Sequence, residues 1–376
     1  MKKLGLLIVL ATITVFQSCT SNKIENFSEE SKFKLVDSIC IDPNFGVSSV
    51  SAFELDGQEY FSVANFKTQK EIRIFHQDSL VRTISLNGFS IFKETPLAYE
   101  VLNLDTILII LNQDPRIFYV DAKGVIFKAI SFEDEYNELG GMRVRRDISP
   151  AFLNRKEDYA ALNFLTAPDF TGFTLDSLQK FEEENRNNLR KQKKIVVKGL
   201  SDDTSVIETN LSNAFEGMLS DNQVLNSAWY FTLTNDKYCA TLESSNKINV
   251  FNSDFELEKQ LEVKSDFVDI GYKLPEVKDL ENYMDIFKSN VTGKRMISYV
   301  LIDEETGDYI VFLNNIYEKE EGTSETPDLI VYSKDWVKLG EYKKGDHSFG
   351  GGVYYAKNKY YIKRLHSNCY DVFEYN

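Results

Sequence analysis

A short strand motif that recurs along the chain is the feature that most constrains the fold. The motif has the form apolar-x-apolar-aromatic-x-x-Asp, as in IRIFHQD and INVFNSD. Alternation of apolar and polar residues, with many β-branched and aromatic side chains, is typical of β-strands. Six copies, two of them looser than the rest, begin at Ile72, Ile117, Ile195, Ile248, Leu329 and Tyr370. The chain is therefore predicted to repeat one β-unit six times.

The spacing of the copies indicates which repeat architecture this is. Successive copies are 45, 78, 53, 81 and 41 residues apart, and three of these distances approach the roughly 40–50 residues of a four-stranded propeller blade. The two long intervals contain segments with helical periodicity, at about 171–192 and about 274–290. We expect an all-β fold over residues 32–376, namely a six-bladed β-propeller of four-stranded antiparallel blades with two helical insertions.

The two ends of this domain are expected to meet. The last copy reaches the end of the sequence, so its blade lacks an outermost strand, whereas the strand pattern FKLVDSICI at 33–41 has no hairpin partner before it. The N-terminal strand is therefore predicted to close the ring as the outer strand of the last blade. This closure would bring Cys40 close to Cys369, where a disulfide is one possibility and two buried free thiols are the other.

The first residues have the pattern of a lipoprotein signal. Lys2 and Lys3 precede an apolar run at 4–16, which is too short to span a bilayer, and Ser18 directly precedes Cys19. Residues 1–18 are predicted to be a signal peptide, Cys19 the lipidated residue and 19–31 a flexible tether. The alternative is an ordinary secretory signal with an incidental cysteine. The expected location is the cell envelope, where a lipid would anchor the protein to the outer membrane. Which of the two leaflets holds this anchor stays open.

The sequence resembles a family of uncharacterised Bacteroidota lipoproteins with TolB-like six-bladed β-propellers. The Ser18-Cys19 pair, the repeated strand motif and the segment 292–376 carry the resemblance. It implies an architecture and an anchored envelope protein. Because that family has no assigned activity, no functional residue follows from it.

Three arginines form the most unusual local segment of this acidic chain. Arg143, Arg145 and Arg146 fall within four positions, while the formal net charge of the whole chain is −15. On an extended strand Arg143 and Arg145 share a face, and paired guanidinium groups suit a carboxylate, sulfate or phosphate. The alternative is that they pair with the protein's own acidic residues. The negative charge disfavours a nucleic-acid partner.

Other polar residues are candidates for the central funnel of the propeller. His347 and His366 both belong to the last blade and are expected to approach the funnel, either as ligand-binding groups or as loop histidines bonded to backbone. The adjacent Asp346, His347 and Ser348 do not indicate a catalytic triad, because triad members are brought together by folding and no GxSxG segment is present. Asn112 and Asn314 are at predicted strand ends, where such residues bind calcium or simply form turns. No metal and no cofactor is predicted.

These features favour a non-catalytic function. The prediction is a membrane-anchored envelope protein whose propeller is a binding module for a protein, a peptide or a glycan. The alternative is an envelope hydrolase or lyase with its site in the propeller funnel. An enzyme would need several titratable groups converging in a concave pocket, whereas a binding module needs only an accessible face.

Overall fold

The computed structural model shows an all-β propeller built from four-stranded antiparallel sheets. The residues it describes are 24–26, 32–87, 96–111, 114, 116–134, 143–144, 151–154, 159–165, 180, 195–199, 206–208, 218, 229–234, 236–242, 244–254, 256–272, 283–315, 326–343 and 345–376. Short runs of alternating residues form the strands, and turns with left-handed residues such as Gly57 separate them.

Two strands precede the first blade: β1 (Glu25–Asn26) and β2 (Phe33–Cys40), which a single 3-10 turn, Pro43–Phe45, follows. Blade 1 consists of β3 (Ser49–Leu55), β4 (Gln58–Asn65), β5 (Glu71–His76) and β6 (Ser79–Ser85). Blade 2 consists of β7 (Pro96–Asn103), β8 (Thr106–Leu111), β9 (Arg116–Asp121) and β10 (Ile126–Ser131). Each blade is an antiparallel meander in which neighbours in sequence are neighbours in the sheet.

A sheet of different form follows blade 2. Its strands are β11 (Arg143–Val144), β12 (Ala151–Asn154), β13 (Tyr159–Leu165), β14 (Ile195–Gly199) and β15 (Val206–Glu208). β11 and β12 pair with different parts of the same strand, β13. We call this five-stranded arrangement the branched sheet.

Three further blades complete the molecule. Blade 3 consists of β16 (Trp229–Thr234), β17 (Lys237–Leu242), β18 (Lys247–Phe251) and β19 (Leu257–Glu262). After the helix α1 (Tyr283–Val291), blade 4 consists of β20 (Arg295–Ile302), β21 (Tyr309–Asn315), β22 (Leu329–Tyr332) and β23 (Lys338–Lys343). Blade 5 consists of β24 (His347–Ala356), β25 (Lys359–Arg364), β26 (Cys369–Tyr375) and, outermost, β2.

The prediction of six four-stranded antiparallel blades is wrong. Five motif copies do lie in the third strands of five such blades, but the copy at Ile195 lies in β14 of the branched sheet. That sheet has five strands because β13 pairs with both β11 and β12 along one edge. A strand motif indicates a strand and the turn that follows it, but it does not indicate how many strands pair with that strand.

The prediction of two helical insertions is also wrong for the part of the chain that the structure describes. The one α-helix with described bounds is α1, which covers the second half of the predicted insert at 274–290 and ends one residue beyond it. The insert at 171–192 lies outside the described residues except for Lys180.

Hydrophobic clusters at the seams between neighbouring blades hold the ring together. One cluster joins blades 1 and 2, another blades 3 and 4, another blades 4 and 5, and another blades 5 and 1. Ile72 and Ile107, for example, are fully buried on either side of the first seam. Burying one large apolar side chain stabilises a fold by about 1.5–3 kcal/mol, so each seam contributes several times that amount.

The N-terminal strand closes the ring in the predicted way. β2 pairs antiparallel with β26, from Phe33 opposite Tyr375 to Cys40 opposite Cys369. Phe33 is fully buried among the rings of Tyr342, Tyr360 and Tyr375. The Cys40 and Cys369 sulfur atoms form a disulfide between Cα atoms 4.0 Å apart, which links positions 329 residues apart in sequence. The two ends of the domain are thus covalently joined.

Candidate functional site

A surface pocket lies beside the ring closure. It has a volume of about 510 Å³ and is lined by Pro43 and residues 363–368. These residues belong to the end of β25, to the loop between β25 and β26, and to the segment that enters blade 1. In a propeller with this strand order the two kinds of loop share one face of the disc. The pocket therefore lies on the face of the disc that carries these loops, among them the one with the predicted residue His366.

Backbone hydrogen bonds fix the loops around the pocket. The Ile41 amide donates to the Asn368 carbonyl at 3.0 Å, and the Leu365 amide donates to the Asp346 carbonyl at 2.7 Å. The disulfide lies next to this pair of segments, because Cys369 follows Asn368 directly. The walls of the pocket are consequently held from both chain ends.

A buried carboxylate, Asp371, lies behind the pocket and accepts four hydrogen bonds. Its Oδ1 accepts from Ser38 Oγ at 2.5 Å and from Arg364 Nη2 at 2.5 Å. Its Oδ2 accepts from Arg364 Nε at 3.0 Å and bonds His347 Nε2 at 2.9 Å. Ser38 stands directly opposite Asp371 in the β2–β26 pairing, so the register of the closing strand positions this donor.

The electrostatics of Asp371 follow from these donors. Burial by itself raises the pKa of a carboxyl group, but the hydrogen bonds from Arg364, Ser38 and His347 outweigh burial and hold the pKa of Asp371 below its ordinary value. The same bidentate contact raises the pKa of Arg364. Asp371 is therefore a permanent anion that fixes a permanent cation in one orientation.

Arg364 connects this buried cluster to the pocket. Its side chain is 42% exposed, whereas that of Asp371 is 4% exposed, and Arg364 also lines the pocket. Lys363 and His366 line the same pocket, and neither forms a salt bridge with any residue that the structure describes. The pocket therefore offers basic groups to an anionic ligand.

Ser38, Asp371 and His347 do not form a nucleophilic triad. In a triad the hydroxyl bonds the imidazole, which accepts its proton, and the carboxylate orients the imidazole from the other side. Here the Ser38 hydroxyl and the His347 imidazole both bond the carboxylate. The imidazole packs edge-on against Phe373, with ring centroids 5.2 Å apart. The arrangement orients Arg364, and the Ser38 hydroxyl lacks the imidazole base of a triad.

The two predicted histidines have different surroundings. His366 lines the pocket, where its backbone is left-handed with a φ of 55°. His347 pairs with Arg364 across β24 and β25 and bonds Asp371, and it is not one of the residues that line the pocket. Arg364 is near both histidines: it lines the pocket together with His366 and stands opposite His347 in the β24–β25 pairing.

The structure describes only some of the remaining predicted site residues. Asn314 is half-buried near the end of β21, opposite Met296. Arg143 is in β11 of the branched sheet, opposite Leu165. Its side chain lies outside the described part, as do Arg145, Arg146, Asn112 and Cys19. Among the described residues no group of three or more His, Cys, Asp or Glu side chains could hold a metal ion.

The sequence analysis missed Ser38, Lys363, Arg364 and Asp371. A usable signal was present for two of them. Once Cys40 is placed opposite Cys369, antiparallel counting places Ser38 opposite Asp371, a hydroxyl facing a carboxylate. Arg364 has no comparable signal, because a basic residue at a strand end is most often simply exposed to solvent.

Comparisons with known proteins show the fold. The chain is similar to the crystal structure of a DUF4221 family member from Bacteroides vulgatus, with 14% identity, a TM-score of 0.62, and coverage of 92% of this chain and 98% of that one. The chain is also similar to an exported-protein candidate from Bacteroides fragilis, with 14% identity, a TM-score of 0.47, and coverage of 90% of this chain and 86% of that one. No family model and no curated protein sequence matches the chain.

The sheets define the chain as a β-propeller, and it shares this fold with the Bacteroides vulgatus protein. At this level of identity the shared property is the fold alone. Within the described residues no helix is both long and apolar enough to cross a membrane.

Proposed function

We propose that this protein is a lipid-anchored component of the cell envelope whose propeller binds a protein, peptide or glycan ligand at the pocket beside the ring closure. The proposal rests on the position of Arg364. It lines the pocket and is held by a buried carboxylate on its other side. We further propose that the ligand presents an anionic group to this pocket.

A fixed arginine favours binding for an energetic reason. An exposed arginine loses side-chain freedom when it binds a ligand, which costs about 0.5–1.5 kcal/mol per immobilised side chain. Arg364 already makes two hydrogen bonds to Asp371 through Nε and Nη2. Nη2 also donates to Ser38 Oγ at 3.4 Å, so the Nη1 N–H groups remain, held in one orientation, and suit a carboxylate or a similar oxyanion.

The predicted arginine cluster provides a second contact in this proposal. Arg143, Arg145 and Arg146 would bind another anionic group of the same ligand. A chain with a net charge of −15 repels anions in general, so local basic sites decide where an anionic ligand binds.

The alternative of an envelope hydrolase or lyase has less support. The Ser38 hydroxyl donates to a carboxylate and not to an imidazole, and the lowered pKa of Asp371 makes this carboxylate a weak base for activating a nucleophile. Binding through Arg364 needs no such activation.

The test is recovery of ligands from chemically crosslinked envelopes with tagged full-length protein. Arg364→Ala, used where its denaturation midpoint shows that it is folded, is compared with Arg82→Ala, because both arginine side chains are 42% exposed and paired with an aspartate. We expect proteins, peptides or glycans that the wild type and Arg82→Ala recover and that Arg364→Ala loses. Equal recovery by both variants would overturn the proposed site. Arg143→Ala with Arg145→Ala tests the second contact in the same experiment.

Anchoring is tested separately by metabolic labelling with a fatty acid. We expect label on the wild type and none on Cys19→Ala, which should also leave the membrane fraction. Continued membrane association of unlabelled Cys19→Ala would contradict the lipid anchor.

A further inference from the structure

The segment before the ring-closing strand docks on the propeller. β1 pairs in parallel with β23, the outermost strand of blade 4, with Glu25 opposite Tyr342 and Asn26 opposite Lys343. β1 thus becomes a fifth strand of that blade, although the residues that follow it in sequence enter blade 5.

The outer edge of blade 4 has a reason to accept a strand. An outermost strand presents unpaired backbone N–H and C=O groups, which pair readily with another extended segment. Tyr342 is buried beneath this edge and Lys343 is half-exposed beside it. Blades 1, 2 and 3 have comparable outermost strands that carry no fifth strand in the described sheets.

Docking shortens the part of the tether that is free to span the distance to the membrane. From Cys19 to the start of β2 at Phe33 there are fourteen residue steps, which could extend to about 50 Å. From Cys19 to Glu25 there are six, which extend to about 21 Å at most. With β1 docked, a lipid at Cys19 would therefore hold the outer edge of blade 4 closer to the bilayer than the longer, undocked tether would.

We infer that the outer edge of blade 4 is the side of the propeller that faces the lipid bilayer. The inference rests on the proposed lipid anchor at Cys19. The exposed apolar side chains of Val337 and Leu339 on this side, which are 60% and 40% exposed, are then the ones nearest to the lipid. The propeller stands edge-on, and the face with the pocket stays open to ligands arriving along the membrane.

Docking is tested by a disulfide introduced into the full-length protein. Asn26→Cys with Lys343→Cys places two thiols at paired positions. Asn26→Cys with Ser85→Cys is the matched control, because Ser85 ends the outermost strand of blade 1 as Lys343 ends that of blade 4. Burial raises the pKa of the Cys239 thiol to about 12, so this cysteine does not compete. We expect the new disulfide in the first variant only, and equal yields in both would overturn the docking.

Orientation is tested by a photo-crosslinking amino acid in intact envelopes. It replaces Leu339 of blade 4 or, as the matched control, Val81 of blade 1, which are 40% and 46% exposed. We expect lipid adducts several-fold more abundant from position 339, and loss of this difference in Asn26→Pro, because proline lacks the backbone N–H that strand pairing uses. Equal adducts from both positions in the protein that is labelled at Cys19 would overturn the orientation and leave the anchor standing. Loss of membrane association despite an intact Cys19 would instead overturn the anchor.

Discussion

Two arginine–aspartate pairs in this propeller contain the same residue types in different surroundings. Arg82 of β6 pairs with Asp105, and Arg364 of β25 pairs with Asp371. Both arginine side chains are 42% exposed, but Asp105 is 72% exposed and Asp371 is 4% exposed. The difference between the pairs therefore lies in the carboxylate.

Burial determines whether water or protein groups compensate the charge of the carboxylate. Asp105 has water as an alternative partner, and an exposed pair of this kind contributes about 0–1 kcal/mol. Asp371 has little access to water and is compensated by Ser38 and His347 in addition to Arg364. Removing one partner of a buried pair costs about 3–5 kcal/mol, since the other partner is left uncompensated. A buried, shared carboxylate therefore fixes the orientation of Arg364, whereas the exposed Asp105 leaves Arg82 as an ordinary surface residue.

The largest expected effect concerns the closure that brings Ser38 to Asp371. Replacing the disulfide by Cys40→Ser with Cys369→Ser should lower the free energy of unfolding by about 4 kcal/mol, because the bond restricts the unfolded chain over a 329-residue separation. The measurement is urea denaturation followed by tyrosine fluorescence. Wild type under a reducing agent should behave like the double variant. An unchanged midpoint in both would show that strand pairing alone closes the ring.

The next effect compares the two carboxylates directly. Asp371→Asn should lower the free energy of unfolding by about 2 kcal/mol, because the neutral amide loses the charge-assisted hydrogen bonds from Arg364 and Ser38, while the half-exposed guanidinium left behind is solvated by water. Asp105→Asn should lower it by less than about 1 kcal/mol. Denaturation midpoints of the two variants check this. Equal losses would mean that burial of Asp371 does not set its contribution.

The pH dependence of stability should follow Asp371. Its pKa in the folded protein lies below the ordinary value near 3.9, so the unfolded chain binds the proton more readily and the stabilisation is present above that ordinary value. It is lost as the pH falls through the lowered pKa of the folded state. The stability gap between wild type and Asp371→Asn should stay constant from about pH 7 to pH 5 and close below about pH 4. A gap that widens on acidification would reverse the assigned direction of the shift. Arg82→Ala, with its own gap to the wild type measured alongside, is the control.

The smallest expected effect is the coupling between Arg82 and Asp105. A double-mutant cycle with Arg82→Ala and Asp105→Ala should give about 0.5 kcal/mol at low salt and less at high salt, because the exposed pair is screened. A coupling as large as that measured for Arg364 and Asp371 would remove the contrast between the two pairs.

Much of the fold could be predicted from the sequence. The motif copies at Ile72 and Leu329 mark third strands of blades, and the unpaired pattern at 33–41 marks the closing strand. These features are local or follow from counting along the chain. The number of blades was wrong because the copy at Ile195 looks like the others locally, whereas the pairing of β13 with two strands on one side is decided by tertiary contacts.

The site was less predictable than the fold. His366, which the sequence analysis expects to approach the funnel, lines the pocket, and its part in ligand binding stays a prediction. Arg364 and Asp371 were missed because their importance depends on burial and on a third residue, Ser38, that is more than 300 positions away. Hydrophobic periodicity reports on which residues are buried and not on which polar groups meet inside.

We propose above all that the ligand binds in the pocket beside the ring closure. The most direct measurement places a photo-crosslinking amino acid at His366 and, as the control, at exposed Lys67 in the equivalent loop of blade 1, and irradiates intact envelopes. We expect a discrete adduct from position 366 that position 67 does not form. This adduct should disappear in Arg364→Ala. Adducts of equal yield from both positions, or an adduct at 366 that survives Arg364→Ala, would contradict this proposal.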